Sequence, residues 1–186
     1  MILPIVAFGS PILRKKCSDI SPDHPEFETI LANMWETMYE ANGVGLAAPQ
    51  VNKGIRLFLI DTTPFFEDED EINEVIVKQA FINPRIIEES GEEWEFNEGC
   101  LSIPDLREDV SRKSIITIEY MDENFKTHTE TYDGLTARVI QHEYDHINGI
   151  LFIDKLTALR KRMIKGKLMD ISKGKVNATY KMRFAR

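Results

Sequence analysis

The sequence predicts an α+β fold, in which antiparallel or mixed sheets pack around a central helix, with an N-terminal helix and a basic C-terminal helix. Apolar residues recur at helical spacing over residues 26–40 and again beyond residue 134, whereas short apolar and alternating runs occupy the interval between them. No internal repeat and no linker-like stretch divides the 186 residues. A chain of this length can bury one sizeable core, so we expect a single domain spanning 1–186.

The first predicted elements are a helix and a buried strand. The helix, at 26–40, places apolar side chains every three or four residues, at Phe27, Ile30, Leu31, Met34 and Met38. The stretch ANGVG at 41–45 contains two glycines and ends this helix. The run IRLFLID at 55–61 is almost continuously apolar, which is typical of a strand buried on both faces.

The middle of the chain predicts strands and hairpins. Four runs have strand character, namely VKQAFINP at 77–84, PRIIEES at 84–90, KSIITIEYMD at 113–122 and THTETYD at 127–133. The sequence MDEN at 121–124 predicts a turn just before Phe125. The acidic run at 67–71 predicts a solvated loop, and we assign it no function.

Two further helices are predicted in the last third of the chain. The sequence LTARVIQHEYDHI predicts one at 135–147. The other covers about 156–172 and is followed by a tail. Its apolar residues are Leu156, Leu159, Met163, Leu168 and Ile171, and Gly166 is its weak point.

This last helix and its tail differ in charge from the rest of the chain. The formal net charge is −8, but residues 155–186 carry eleven Lys and Arg against one acid, Asp170, which gives +10. The other 154 residues carry twelve bases and thirty acids, which gives −18. A basic element on an acidic body is typical of a docking surface for polyanions such as RNA, although a solvated helix face is the more common explanation.

Composition also limits where the protein acts. The N-terminal stretch lacks the basic region and the unbroken apolar run of a signal peptide, and no stretch is long enough to cross a membrane. Cys17 and Cys100 lie too far apart to suggest a secreted disulfide framework. We therefore expect a cytoplasmic protein in a reducing compartment, with no membrane or DNA partner.

The sequence QHEYDH at 141–146 predicts a metal site. His142 and His146 are four residues apart on a helix and therefore project from the same face, and Glu143 between them can reach a water at the metal. A catalytic divalent metal ion usually takes three protein ligands and keeps one position open for water. A third ligand must come from elsewhere in the chain.

Two familiar downstream solutions for the third ligand are excluded. The position that would hold a third histidine after Gly149 is Phe152, and no glutamate follows Glu143. The remaining candidates are Cys17, His24, Cys100, His128, Asp154 and Asp170. Among the upstream ones we favour Cys100, because the flanking Gly99 and Pro104 suit an irregular bend that holds a side chain in place.

Three ordered motifs resemble those of one known family. GVGLAAPQ at 43–50, EGCLSIP at 98–104 and QHEYDH at 141–146 are similar to the three signature motifs of the peptide deformylases. The opening PIVAFGSPILRKKC and the sequence NGILFID at 148–154 also resemble that family, so the likeness covers most of the chain. The basic C-terminal helix is similar to that of the bacterial subtype that has one.

The resemblance implies a reaction and a set of reacting groups. The enzyme would hydrolyse the formyl group from N-terminal formylmethionine of new polypeptides and release formate, through attack by a metal-bound water. Cys100, His142 and His146 would bind one divalent ion, Fe²⁺ in the cell, with Ni²⁺, Co²⁺ or Zn²⁺ as alternatives. Glu143 would act as general base and then general acid. Gln50 and the backbone N–H of Leu101 would stabilise the oxyanion.

The resemblance also implies substrate and partner contacts. The substrate backbone would pair in an extended form along Gly43, Val44 and Gly45. The predicted walls of the methionine pocket are Val44, Leu135 and Val139; Arg107 is a predicted substrate contact, and Asp145 is predicted to orient its neighbours. The basic helix is expected to bind the ribosome. Deleting residues from about Leu156 onward should then weaken ribosome association more than hydrolysis of a short peptide.

Two alternatives come from different functional classes. A metallopeptidase that cleaves internal peptide bonds would use much the same machinery, and only the cysteine ligand and the glutamine motif speak against it. A structural metal module would need a fourth protein ligand, and it gives no reason for Glu143 or Gln50 to be present.

Overall fold

The computed structural model describes residues 1–66 and 75–185, so the predicted loop at 67–71 lies outside the described residues. The described residues contain three α-helices: α1 (Phe27–Glu40), α2 (Gly134–Ile147) and α3 (Ala158–Ser172). Short 3-10 helices occupy Pro11–Arg14, Ala48–Val51, Thr63–Phe65 and Phe152–Lys155. Within the described ranges no helix is both long and apolar enough to cross a membrane.

Within these two ranges of the chain, seven strands form two sheets. The strands are β1 (Ile5–Val6), β2 (Gly45–Ala47), β3 (Leu57–Asp61), β4 (Lys78–Cys100), β5 (Ile103–Met121), β6 (Thr127–Asp133) and β7 (Met182–Arg183). The larger sheet has the order β2-β3-β4-β5-β6, and each neighbouring pair is antiparallel. The smaller sheet pairs β1 with β7 in parallel. The α+β prediction is therefore confirmed.

Strands β4 and β5 are much longer than the sequence predicted. β4 runs through 23 residues and β5 through 19, joined by a turn of only two residues, Leu101 and Ser102. Register shifts in the pairing, such as the one between Ser90 and Glu93, bend this hairpin along its length. The sequence of residues 91–100 does not predict a strand, because most of these residues are charged or exposed and the alternation of apolar residues is therefore weak.

The end of this hairpin carries Cys100 at an irregularity in the strand pairing. The residue is the last of β4 and pairs with Ile103, whereas Gly99 before it pairs with Arg107, so the register shifts between the two. This is the kind of irregular setting that Gly99 and Pro104 predict, and the pairing on each side of the shift fixes the backbone at Cys100. The hairpin end is therefore a rigid support for the thiol.

Helix α2 packs against the larger sheet, mainly through β2, β3 and β5. Its apolar face, including Ala137, Ile140 and Ile147, is fully buried with sheet residues such as Phe58 and Phe81. Burial of such side chains contributes roughly 1.5–3 kcal/mol each. This packing makes α2 the central helix of the fold, as the sequence predicted.

Helix α3 packs differently from the prediction. Ile164 and Ile171 are its buried residues, whereas Leu159 and Met163 are 67% and 63% exposed. Gly166 does not interrupt the helix. The helix therefore rests on the body by a narrow apolar contact and exposes most of its surface.

Candidate metal centre and active site

The end of strand β4 and the face of α2 bring three possible metal ligands together. Cys100, His142 and His146 each offer one ligand atom, and these atoms all lie within 4.8 Å of one another. The Cys100 Sγ lies 3.2 Å from the Nε2 of His146. One thiolate and two imidazoles form a donor set that suits a late first-row divalent ion.

Each of the other candidate ligands has a different partner or place. His128 pairs with Asp122 at 2.7 Å, and Asp154 pairs with Arg14. Cys17 is buried, and burial raises the pKa of its thiol to about 11. The other two are His24, in the N-terminal loop, and Asp170, exposed on α3. Of the six candidates, the described residues therefore bring Cys100 alone to the histidine pair.

A buried carboxylate supports one of the two histidines. Glu98 is 3% exposed, and its Oε2 lies 2.9 Å from the Nδ1 of His142. This contact leaves the Nε2 of His142 available for a metal ion, and such an outer hydrogen bond typically fixes both the tautomer and the orientation of a ligand ring. Glu98 accepts in turn from Arg112, at 2.6 and 3.0 Å, and from Arg138, at 2.9 Å.

Asp145 belongs to the same network, but it is linked to Glu98 through Arg112. Its Oδ2 accepts from the Nη1 of Arg112 at 2.7 Å, and Arg112 in turn donates to Glu98. Lys155 lies 3.5 Å from the same carboxylate oxygen. Asp145 therefore binds the arginine that holds Glu98, the partner of His142, and its orienting role stays a prediction.

The charges of this network control the pKa values of the site. Burial opposes ionisation of Glu98, but hydrogen bonds from His142 and Arg112 hold its pKa well below the ordinary value. Burial likewise opposes the charged form of His142, yet Cys100 and Glu98 raise its pKa well above the usual value. Burial lowers the pKa of His146, which keeps this imidazole neutral, as a metal ligand must be.

Glu143 is buried beside the three possible ligands, and one of its carboxylate oxygens has no hydrogen-bond partner among the described residues. The residue is 4% exposed, and its Oε2 has no partner among the described residues. Burial raises the pKa of its carboxyl to about 7. A buried polar atom left without a partner is costly, and it indicates a group waiting for substrate, water or metal.

The glycine opposite Glu143 explains how the carboxylate fits. A Cβ added to Gly45 would lie 2.5 Å from the Oε1 of Glu143, closer than real Cβ atoms approach any heavy atom. Gly43 is packed in the same way, since a Cβ there would lie 2.8 Å from the Cδ1 of Leu101. The two glycines therefore allow the β2 segment to approach both the α2 helix and the hairpin turn.

Gln50 is oriented by its neighbours toward the cluster of Cys100, His142 and His146. It is 1% exposed, and its Oε1 accepts from the backbone N–H of Ala47 at 2.8 Å. This contact turns its Nε2 toward the Cys100 Sγ, at 3.7 Å, and the Ser102 Oγ, at 3.3 Å. The side-chain amide is therefore a fixed donor beside the ligand atoms.

A cavity of about 540 Å³ opens onto these groups. The predicted substrate contacts Gly43, Val44, Gly45 and Val139 line it, as does Arg107, which binds Asn97 at the rim. Leu135 is half-buried on α2 and is not among the described residues that line the cavity. Val44 and Val139 therefore line the cavity, whereas Leu135 does not, and the methionine pocket stays a prediction.

Sequence reasoning assigned no role to several residues that build the site. Glu98 is the first residue of the motif EGCLSIP, so its place in that motif could have indicated a role in the site. Arg112 and Arg138 carry no such signal, because the approach of Arg112 to Glu98 depends on the register of β4 with β5 and that of Arg138 on the packing of α2. Tyr180 lines the same cavity from the C-terminal tail, and its hydroxyl donates to the Leu101 carbonyl at 2.7 Å.

Comparison with known proteins gives one consistent result. The family model described as polypeptide deformylase matches residues 2–162. The peptide deformylase of Christiangramia forsetii is 62% identical over 99% of this chain and 96% of its own, and that of Flavobacterium johnsoniae is 58% identical over 100% and 97%. The crystal structure of a peptide deformylase from Legionella pneumophila is 35% identical, with a TM-score of 0.80 over 94% of this chain and 98% of that one.

These likenesses extend over the whole arrangement of motifs described above. They give no support to a metallopeptidase of internal bonds. The structural-module alternative also lacks its fourth ligand, since the cluster found among the described residues has three members. The chain belongs to the peptide deformylase family, and it is an enzyme that removes the N-formyl group from nascent peptides.

Proposed function

We propose that deformylation takes place at the Cys100, His142 and His146 cluster, with Glu143 as the proton carrier. The observation that carries this proposal is the meeting of the three ligand atoms, within 4.8 Å of one another, with a buried carboxylate oxygen that has no partner in the described structure. A bound divalent ion would supply the Lewis acidity that makes water a nucleophile near neutral pH. The residues of the chain supply the remaining steps.

Glu143 would take a proton from the attacking water and then give it to the leaving amine. Its raised pKa, about 7 in the absence of a bound cation, indicates a carboxyl that can exchange a proton in the physiological range. Gly45 directly opposite leaves room for the carboxylate but for little else. The carboxylate is therefore confined to the place where a proton must move twice.

Two donors would stabilise the oxyanion that forms on the formyl group. The Nε2 of Gln50 is already aimed at the cluster, because Ala47 and Ser102 fix both ends of the amide. The N–H of Leu101, next to Cys100 in the hairpin turn, would be the second donor. Removal of one donor of this kind typically raises the barrier by about 3 to 4 kcal/mol.

The substrate would bind in an extended form beside β2. This strand is at the edge of the five-stranded sheet, so one of its sides is not paired within that sheet. Gly43, Val44 and Gly45 line the cavity at this edge. A peptide added there would gain backbone hydrogen bonds, with the methionine side chain against Val44 and Val139 and the following residues toward Arg107.

The test is release of formate from a formyl-Met-Ala-Ser peptide. Protein prepared anaerobically with Fe²⁺, the ion that we propose for the cell, should release formate, and Cys100→Ala should not. Cys17→Ala is the matched control, since this buried cysteine lies outside the cluster, and it should keep its turnover. Full turnover in Cys100→Ala would reject the proposed ligand set. An acetylated peptide should be hydrolysed poorly, because the site must accept a formyl hydrogen where acetyl has a methyl.

We further propose that the outer face of α3 docks on the ribosome, which places the enzyme in the cytoplasm. Lys161, Arg162 and Lys165 are exposed and have no ion pair among the described residues, whereas Arg160 is engaged by Glu108. An uncompensated basic face of this kind is attracted to the phosphates of RNA.

Charge reversal is a sharper test of docking than deletion of the C-terminal region, because the deleted tail also lines the cavity. The double variant Lys161→Glu, Lys165→Glu should sediment less with ribosomes and lose less turnover on a short peptide than on ribosome-bound chains. Lys53→Glu, Lys126→Glu makes the same charge change at exposed sites off α3. Equal sedimentation of the two double variants would contradict docking by α3.

A further inference from the structure

The tail that follows α3 returns to the active-site cavity. The chain reverses at Gly174, which has φ +75°, and the N–H of Lys175 donates to the Asp170 carbonyl at 2.9 Å. Residues 177–180 then line the cavity, and β7 pairs with β1 immediately afterwards. The tail is therefore held at both ends while its middle faces the site.

Tyr180 makes a directed contact with the hairpin turn. Its hydroxyl donates to the Leu101 carbonyl at 2.7 Å, which is the usual distance for a hydroxyl donor. Its ring and the Leu101 side chain both pack against the core cluster that contains Met34 and Met38. The contact therefore joins a directional hydrogen bond to a packed aromatic ring.

The second carbonyl of the same turn is also held by a terminal segment. The Ser102 carbonyl accepts from the N–H of Phe8 at 2.8 Å. The two terminal segments are joined to each other, since Ile5 donates to the Lys181 carbonyl at 2.9 Å and Ala7 to the Arg183 carbonyl at 2.8 Å. Both turn residues are thus anchored to one small parallel sheet outside the hairpin.

A two-residue turn needs such anchors if it carries reacting groups. Cys100 immediately precedes it, and the N–H of Leu101 is the oxyanion donor in the proposed function. A donor contributes fully to catalysis only when its position is fixed before the reaction begins, and a shift of about 1 Å lowers the rate steeply. Holding the Leu101 carbonyl restricts rotation about the Leu101 backbone and therefore restricts where its N–H lies.

We propose that Tyr180 is a positioning residue for deformylation, whose hydroxyl holds the Leu101 carbonyl and so fixes the turn that carries the Leu101 N–H. This inference rests on the proposed function, in which that N–H is a catalytic donor. It gives the C-terminal tail a role in the reaction that is separate from any docking by α3.

The decisive variant is Tyr180→Phe, which keeps the ring and removes the hydroxyl. The kcat per bound metal for formyl-Met-Ala-Ser should fall by about 3- to 10-fold, the effect of one hydrogen bond, while KM and metal content stay unchanged. Tyr120→Phe is the matched control. It also removes a hydroxyl that donates to an acceptor, the Glu130 carboxylate at 2.8 Å, but it does so away from the cavity, so its kcat should match the unmodified enzyme.

A second measurement does not depend on turnover. Amide hydrogen exchange of a peptide fragment covering residues 96–106 should be faster in Tyr180→Phe than in the unmodified enzyme and in Tyr120→Phe, because the turn has lost an anchor. An unchanged exchange rate together with an unchanged kcat would overturn the positioning role. A loss of metal content that accounts for all of the lost activity would overturn it as well.

The two readouts separate this inference from the proposed function. If Cys100→Ala kept full turnover, the proposed ligand set would be rejected, and exchange at the turn would still decide whether Tyr180 anchors it. If the unmodified enzyme behaved as proposed and Tyr180→Phe matched it in both readouts, the role of Tyr180 alone would fall.

Discussion

Helices α2 and α3 have nearly the same length and both pack against β5, but most of α2 is buried and most of α3 is exposed to water. Nine of the fourteen residues of α2 are buried, and these include the polar Arg138, Gln141, Glu143 and His146. α3 has fifteen residues, two of them buried, and both are isoleucines. Three of the proposed reacting groups, His142, Glu143 and His146, are thus on the helix that excludes water, and the exposed lysines are on the helix that faces it.

The cost of burial shows why the two helices differ. A charged or polar group taken out of water needs a partner, and α2 obtains its partners from β4 and β5 through Glu98 and Arg112. On α3 the lysines remain hydrated and need no such framework. Changes on α2 should therefore have large effects on reaction and stability, and changes on α3 small ones.

The largest expected effect is at Glu143, whose Oε2 has no partner in the part of the chain that the structure describes. Glu143→Gln should bind metal normally, because Glu143 is not one of the three clustered ligands, but should lower turnover by about 10²- to 10⁴-fold, the usual contribution of a general acid–base. Formate release and metal content, measured on the same preparation, check this. Retained turnover would exclude Glu143 as the proton carrier.

The next effect concerns the buried carboxylate of β4. Glu98→Gln removes the counter-charge of the buried Arg138 and leaves the buried Arg112 with Asp145 alone, so the free energy of unfolding should fall by about 3 to 5 kcal/mol. Denaturant unfolding of metal-free protein measures it. Glu95→Gln is the matched control on the same strand, because Glu95 is exposed, and it should change stability by less than about 0.5 kcal/mol.

The stability difference between the unmodified protein and Glu98→Gln should change with pH in a direction that follows from the pKa of Glu98. Burial opposes the charge of Glu98, but His142 and Arg112 hold its pKa below the ordinary value of 4.5. Its stabilising contribution is therefore complete above about pH 4.5, where the carboxyl of the unfolded chain is also ionised, and is lost progressively at lower pH. The gap between the unmodified protein and Glu98→Gln should narrow below that pH. A gap that widened on acidification would contradict the assignment.

A smaller effect is expected from crowding α2. Gly45→Ala places a Cβ against the Glu143 carboxylate, and overpacking of this kind costs about 1 to 3 kcal/mol. Turnover should fall together with stability, because the carboxylate must move away. Thermal unfolding and formate release measure the two effects. Unchanged thermal stability and unchanged formate release would show that the segment around Gly45 can move to accept the Cβ without a loss of free energy.

The smallest effect, with the opposite sign, belongs to the glycine of α3. Gly166 lies in the middle of the helix, and a Cβ there would meet nothing within 4 Å. Gly166→Ala should therefore stabilise the protein by about 0.5 to 1 kcal/mol, because alanine favours the helix. Denaturant unfolding should show a higher midpoint, with turnover unchanged. A decrease in stability would mean that this face of α3 is packed more closely than the structure shows.

Sequence reasoning succeeded where the signal was local. The spacing of apolar residues predicted α1 and α2 to within about one residue, and QHEYDH predicted two histidines on one helical face. It also predicted α3, but it placed Leu159 and Met163 in the apolar contact, whereas both are exposed. The prediction of a single domain over 1–186 stays a prediction.

The unpredicted features are the non-local ones. The length of the β4–β5 hairpin was hidden by its exposed glutamates, and the charge network around Glu98 depends on which residues of two strands face one helix. The return of the tail has no sequence signal, since residues 177–180 resemble any polar loop. Contacts between segments far apart in sequence depend on the three-dimensional arrangement, which spacing rules do not describe.

The pairing of β1 with β7 also has a consequence for folding kinetics. Ile5 pairs with Met182, so this pairing closes nearly the whole chain into one loop, whereas the β4–β5 hairpin closes locally across two residues. In refolding from denaturant, the hairpin and its neighbouring helix can therefore form well before the terminal strands meet. The side of the active-site cavity that contains Tyr180 would be completed late. Full hydrolytic activity would therefore return after most of the secondary structure has formed.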